Sequence, residues 1–263
     1  MEVRLVTKTT GVAEFTDKSI DEILVGIARI SSSREVNELF TEPHKLLRHC
    51  LREGHWSVFA MANLGIEIIT SRAIGRELLR HWSLQPQELS QRYKAVSEFE
   101  PIEIRAQCTN NRQSSTDLIN PVLFKSADDM YTDESRHASE AIEDHLNQTR
   151  ELYQELIKNG VAKECARMVM PEATQTKIVF NGKVRDWITT LNKRLYKTTQ
   201  KECREVAEAI RDLFIAECPV ISKMLWNFED AHDIEILERL ILDRYGVYDM
   251  VKKNNFKRLN LAA

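Results

Sequence analysis

Two hydrophobic periods alternate along this chain, and that alternation limits the fold more than any other feature of its 263 residues. Residues 2–8, EVRLVTK, alternate apolar and polar side chains as a half-buried strand does. Ile20, Ile23, Leu24, Ile27 and Ala28 then recur at helical spacing, which predicts a helix over 19–29. A second helix is predicted over 42–53, with Thr41 as N-cap, Pro43 in the first turn and Gly54 as C-terminal cap. The β-rich residues 62–70 lead into Ser71, which can cap a helix running through Ala73, Ile74, Leu78 and Leu79 to His81. A short strand is read over 102–106 and a long helix over 134–159, followed by helices over 162–169, 184–194, 199–216 and 233–243. Loops are expected at 108–117 and 127–133, and a basic tail at 252–258. Short strands mixed with long helices, without a repeat or a low-complexity linker, imply an α/β (α+β) fold in a single domain.

The formal charge of −3 gives the molecule no general attraction for polyanions, so a bound phosphate needs a local cluster of cations. The acidic balance also argues against nucleic acid as a partner. No apolar run approaches the ~20 residues that span a bilayer, and Met1–Arg4 lacks the layout of a secretory signal. Cys50, Cys108, Cys165, Cys203 and Cys218 are odd in number and show no CxxC spacing, which suits reduced thiols in a cytoplasmic protein. No metal is expected: His44 and His49 are five apart, whereas a shared ligand face needs i, i+4.

Residues 80–93 read RHWSLQPQELSQRY. Arg80 and His81 close a helix, and Pro86 then demands an extended or turn conformation. In an extended segment Glu88, Ser90 and Arg92 share one face within about 14 Å. A carboxylate, a hydroxyl and a guanidinium so placed suit a nucleoside monophosphate, because Arg grips phosphate with two parallel hydrogen bonds. Taken alone, the segment equally describes a solvated strand edge with an incidental ion pair.

The segment resembles the signature of flavin-dependent thymidylate synthases, Arg-His-Arg, seven residues and a serine, commonly followed by x-Arg-Tyr. Arg80, His81, Glu88, Ser90, Arg92 and Tyr93 stand in register, while Trp82 replaces the third basic residue and Gln87 the usual asparagine. Upstream, Gly54-His55-Trp56-Ser57 is similar to the family's Gly-His-x-Ser/Thr element. Downstream, residues 164–171, ECARMVMP, resemble Glu-x-Ala-Arg-x-x-Leu-Pro, and Gly182, Arg185-Asp186-Trp187 and Arg194 follow at similar spacing. The resemblance covers residues 1–218, read as the catalytic domain, and leaves 219–263 as a helical extension and basic tail.

The resemblance implies a twisted sheet flanked by helices, assembled as a homotetramer with shared active sites. It implies an enzyme that transfers the methylene of methylenetetrahydrofolate to carbon 5 of dUMP, with hydride from FAD that NADPH re-reduces. The cofactor does the hard chemistry and the protein positions and polarises. By resemblance Arg194 lies against the uracil and favours its ionised form, as a fixed guanidinium beside a developing anion would. Glu77, Arg80, Glu88, Leu89, Ser90, Gln91, Arg92 and Arg167 are implied for dUMP, with Glu77 meeting the sugar, the base or a cation rather than phosphate. His55, Ser57, Arg80, His81, Trp82, Glu88, Lys183, Val184, Arg185 and Thr189 are implied for FAD, with His55 and Ser57 reaching it from a neighbouring subunit. Trp82 cannot make an arginine's ionic contacts, but it can stack on a flavin or adenine ring. Its presence also fits a diverged, viral branch, in which case the compartment is the host cytoplasm. Two alternatives stay open at this level: a non-catalytic nucleotide- or flavin-binding protein, and a decayed family member that no longer transfers methylene.

Overall fold

The computed structural model describes residues 1–31, 35, 38–124 and 135–226. The helix expected over 233–243, the basic tail and the loop at 127–133 lie outside them. Among the described residues the strands are β1 Glu2–Lys8, β2 Asn63–Ser71, β3 Gln85–Glu88, β4 Arg105–Gln107, β5 Ser115–Leu118, β6 Val122–Phe124, β7 Ser135–His137 and β8 Gln175–Lys183. The helices are α1 Ile20–Ile30, α2 Pro43–Glu53, α3 Arg72–Leu79, α4 Ala138–Lys158, α5 Lys163–Ala166, α6 Val184–Arg194, α7 Lys201–Glu217 and α8 Pro219–Trp226. This is the mixed α/β composition that the two periods imply. Its residues gather into two compact units, each built from segments distant in sequence.

The first unit comprises residues 1–7, 64–182 and 186–211. Its four-stranded sheet has the order β1-β2-β8-β3. The inner strand β2 buries the continuous run Leu64–Ile68 and Thr70, whereas β8 alternates, burying Thr176, Ile178, Phe180 and Gly182. β3 pairs antiparallel with β8, Pro86 opposite Phe180, and occupies the edge where a residue without an N–H is tolerated. Gly182 is a close-approach position: a Cβ there would lie 2.4 Å from Leu84 Cδ2 and 3.0 Å from Trp187 Nε1. That approach lets the buried Trp187 donate its indole N–H to the Leu64 carbonyl at 2.9 Å. Ile66, Ile68, Ile74, Leu78, Ile178, Phe180, Ile188, Leu191, Val206 and Ile210 are buried in this unit, each contributing roughly 1.5–3 kcal/mol through burial.

The chain departs from its sequence reading in three places here. Strand β5 falls on the stretch read as a loop and β7, paired with β6, on the stretch read as a helix start, so the long helix begins at Ala138 rather than 134. The strand expected over 102–106 falls on Arg105–Gln107. The helix capped by Ser71, whose hydroxyl accepts from the Ile74 N–H, ends at Leu79, two residues before His81.

The second unit comprises residues 8–63, 183–185 and 212 onward. Ser19 and Glu22 form a capping box at the start of α1. Helix α2 starts differently from its expectation: Glu42, not Thr41, is the N-cap, at φ 41° and ψ 57°. The Thr41 hydroxyl donates to the Glu38 carbonyl at 3.0 Å and accepts from Arg29 Nη1 at 3.1 Å, so it is turned away from the helix N-terminus. Gly54 ends α2 in the left-handed region, φ 71°, as expected of a C-terminal cap. Asp21, 1% exposed, accepts from the backbone N–H groups of Val220 (2.8 Å) and Ile221 (3.4 Å), so a carboxylate of α1 caps α8.

Candidate active site

Helix α3 buries Ile74, Gly75 and Leu78, which leaves Glu77 half-buried and sets Arg80 at the helix's C-terminal end. Arg194, the last residue of α6, meets the same end from far along the chain. Its Nε–H donates to His81 Nε2 at 2.8 Å, its Nη1 to Glu77 Oε2 at 2.9 Å and its Nη2 to the Glu77 carbonyl at 2.6 Å. Burial, reinforced by the charges of Arg194 and Lys193, pushes the His81 imidazole down to about 4. A neutral ring that accepts at Nε2 carries its proton on Nδ1. The buried Cys203 thiol hydrogen-bonds Glu77 and is pushed up to about 12, chiefly by burial. It is therefore a structural thiol and no nucleophile.

A second group forms where β3 ends. Thr176 Oγ1 donates to Glu88 Oε1 at 2.7 Å, and Arg72 Nη1 stands 3.7 Å from the same oxygen. The Leu89 N–H continues the pairing onto the Lys177 carbonyl at 2.8 Å. Then the chain turns: the Ser90 carbonyl accepts from both Tyr93 and Lys94 N–H at 3.1 Å. Glu88, Ser90 and Arg92 consequently do not share an extended face, which corrects the sequence reading. Gln91 is buried by the turn, while Arg92 points outward and pairs with Glu164 at 3.1 Å. Lys163 Nζ donates to the Tyr93 carbonyl at 2.9 Å, so the turn lies against the segment that carries the half-buried Arg167. Sequence reasoning named Glu164 within its block but not as the partner of Arg92, and it missed Thr176 and Cys203. Only the alternation of β8, which turns Thr176 inward with Ile178, hinted at any of these.

Arg80 is exposed and makes no ion pair with a described residue, and Trp82 beside it is 89% exposed. Thr189 lies exposed on α6. In the second unit His55 and Ser57 are exposed beyond α2, the His55 ring edge-on to His49 at 5.5 Å. Lys183 is exposed there as well, whereas Val184 is buried and donates its N–H to the Ala62 carbonyl at 2.9 Å. Arg185 is half-buried. No cluster of three potential metal ligands occurs among the described residues.

Residues 12–220 match the family model described as thymidylate synthase complementing protein. Over 227 residues the chain is 37% identical to the flavin-dependent thymidylate synthase of Synechocystis sp., covering 86% of this chain and 99% of that one. It is 36% identical over 227 residues, with the same two shares, to the probable flavin-dependent thymidylate synthase of Paramecium bursaria Chlorella virus 1. The chain belongs to the flavin-dependent thymidylate synthase family. Among solved structures, the UMP/dUMP methylase PolB from Streptomyces cacaoi bound with 5-Br dUMP superposes with a TM-score of 0.65. That match has 21% identity and covers 84% of this chain and 93% of the other, so it establishes the fold.

A flavin-dependent thymidylate synthase is a methyltransferase, and the family implies FAD. The donor set fits that group. Arg80 is a cation with no anion to hold among the described residues, suited to a phosphate. Trp82 offers an uncovered indole face, suited to a flat heteroaromatic ring. His55, Ser57 and Lys183 are exposed polar and cationic groups of the second unit.

Proposed function

We propose that this chain converts dUMP to dTMP, accepting the methylene of methylenetetrahydrofolate at carbon 5 of the uracil and using NADPH as the ultimate reductant. The observation that carries the reading is the set Arg194, Glu77 and His81, which presents a fixed guanidinium beside a neutral imidazole. Bound FAD supplies the hydride that turns the methylene into a methyl group.

The chain's own residues bind and polarise. Arg194 stabilises the anionic form of the uracil, raising electron density at carbon 5. Arg92 and Arg167 grip the dUMP phosphate with Ser90 and the N–H group of Gln91, a role supported by the turn that sets 90–94 against 163–167. Glu88, anchored by Thr176, accepts from a hydroxyl or N–H of the ligand. Arg80, His81 and Trp82 hold FAD with Thr189; His55, Ser57 and the Lys183–Arg185 segment complete its site, His55 and Ser57 from a neighbouring subunit. Residues 1–218 form the catalytic domain.

The homotetramer this requires is supported by apolar side chains left uncovered in the single chain: Leu118, Val122, Leu123, Phe124, Tyr93 and Met168 are each more than 40% exposed. No helix among the described residues is long and apolar enough to cross a membrane, which is compatible with a cytoplasmic enzyme. Chromatographic detection of dTMP, with FAD, NADPH and methylenetetrahydrofolate omitted in turn, tests the reaction. A fully active monomer in light scattering would refute the shared site.

A further inference from the structure

Arg194 carries five N–H donors, and the fold commits three of them. The Nε–H goes to His81, one Nη1–H to the Glu77 carboxylate and one Nη2–H to the Glu77 backbone carbonyl. Two of the three acceptors thus belong to one residue, and they hold the planar guanidinium at both of its terminal nitrogens. One N–H on each terminal nitrogen meets no acceptor among the described residues and is left to donate to an anionic ligand.

Glu77 is itself held. It lies on α3 between the buried Ile74 and Leu78, and the buried Cys203 thiol hydrogen-bonds its carboxylate. The Glu77–Arg194 pair is mostly shielded, its side chains 27% and 19% exposed, so solvent competes weakly for the contact. An arginine at the end of a helix has four rotatable bonds and samples many positions unless something fixes it.

We infer that Glu77 acts as a positioning residue: rather than touching dUMP, it clamps Arg194 through its carboxylate and its carbonyl, so that two N–H groups face the substrate in a set geometry. The inference rests on the proposed role of Arg194. It assigns Glu77 to the cation among the three partners its sequence position allowed.

The test uses the flavin-loaded enzyme and two variants, Glu77→Ala and Glu77→Gln. The amide oxygen of Gln can accept the same Nη1–H. Glu77→Ala lowers kcat about 100-fold, the cost of misplacing a catalytic group, while KM for dUMP changes less than about threefold. Glu77→Gln recovers kcat to within about tenfold of the wild type. A wild-type kcat in Glu77→Ala overturns the inference. So does a rise in KM alone, which would mean direct substrate contact, or an equal loss in both variants with a lowered melting temperature, which would mean general damage. A second readout is independent of turnover: the Arg194 Nε–H resonance in 15N spectra is protected from exchange in the wild type and in Glu77→Gln, and exposed in Glu77→Ala. If the wild type forms no dTMP the functional reading fails, and this resonance alone decides the clamp. Equal protection in all three proteins would overturn it.

Discussion

Arg194 donates its Nε–H to Nε2 of His81 at 2.8 Å, and a donor that always carries its proton thereby sets the protonation state of the imidazole. A protonated ring would have no lone pair at Nε2 and would face a cation. Burial and the charges of Arg194 and Lys193 bring the ring down to about 4. His81 is therefore neutral at pH 7, with its proton on Nδ1.

The corresponding prediction is spectroscopic. At pH 5.5 the His81 ring nitrogens give the pattern of a neutral Nδ1–H tautomer. The folded state binds this proton less readily than the unfolded chain does. His81 thus makes the fold lose stability as pH falls below about 6.5 toward 4. A His81 that titrates near 6.5 would contradict the contact.

Asp21 predicts the opposite slope. Burial raises its carboxyl from 3.8 to about 6 even though Val220 and Ile221 N–H groups favour the charged form. The folded state holds this proton more tightly, so its contribution is full below pH 3.8 and disappears as pH rises through 6. Asp21→Asn retains an oxygen that can cap α8 and removes the charge. At pH 8 it is more stable than the wild type by an amount on the order of 1–3 kcal/mol, and the difference shrinks at pH 5. Equal or lower stability of the variant at pH 8 in thermal melts would refute this.

Much of this was legible in the sequence, and the failures share a cause. The Ser71 cap, the Gly54 cap and helix α6 over 184–194 follow from local chemistry that nothing distant overrides. Thr41 failed as a cap because its hydroxyl is held by Arg29 and the Glu38 carbonyl, and the 88–92 strand failed because the Ser90 carbonyl collects two N–H groups. Each is a short competing hydrogen bond that periodicity does not register. Of the candidate site, the family blocks supplied Glu77, His81 and Arg194 as separate names. Their mutual pairing spans 113 and 117 positions, and the Asp21 cap spans 199, so no local pattern could announce them.

Trp82 carries the prediction on flavin. An indole that is 89% exposed contributes nothing to this chain's own core, so its replacement leaves the melting temperature of the flavin-free protein unchanged. Trp82→Ala weakens FAD binding by about tenfold, the loss of one stacked aromatic contact, and Trp82→Arg restores binding through charge. If flavin affinity and turnover respond to neither change, measured by fluorescence titration and dTMP formation, the residue does not touch FAD.

Arg92 and Glu164 separate binding from stability. Their side chains are 63% and 53% exposed, and so open an ion pair contributes less than about 1 kcal/mol. Glu164→Ala therefore leaves the denaturation midpoint nearly unchanged. Arg92→Ala raises KM for dUMP at least about tenfold, because a charged hydrogen bond to phosphate is worth ~1.5–3 kcal/mol. An unchanged KM in Arg92→Ala would remove this residue from the phosphate site.

The central claim is that Arg194 activates the uracil for methyl transfer supported by flavin. Tritium release from dUMP labelled at carbon 5 measures it directly, with FAD, NADPH and methylenetetrahydrofolate supplied to the purified protein. The account predicts release that needs all three and falls at least about 100-fold in Arg194→Ala, as when a single charge-stabilising donor is removed, with flavin content unchanged. No release from folded, flavin-bound wild-type protein, or undiminished release from Arg194→Ala, would contradict it.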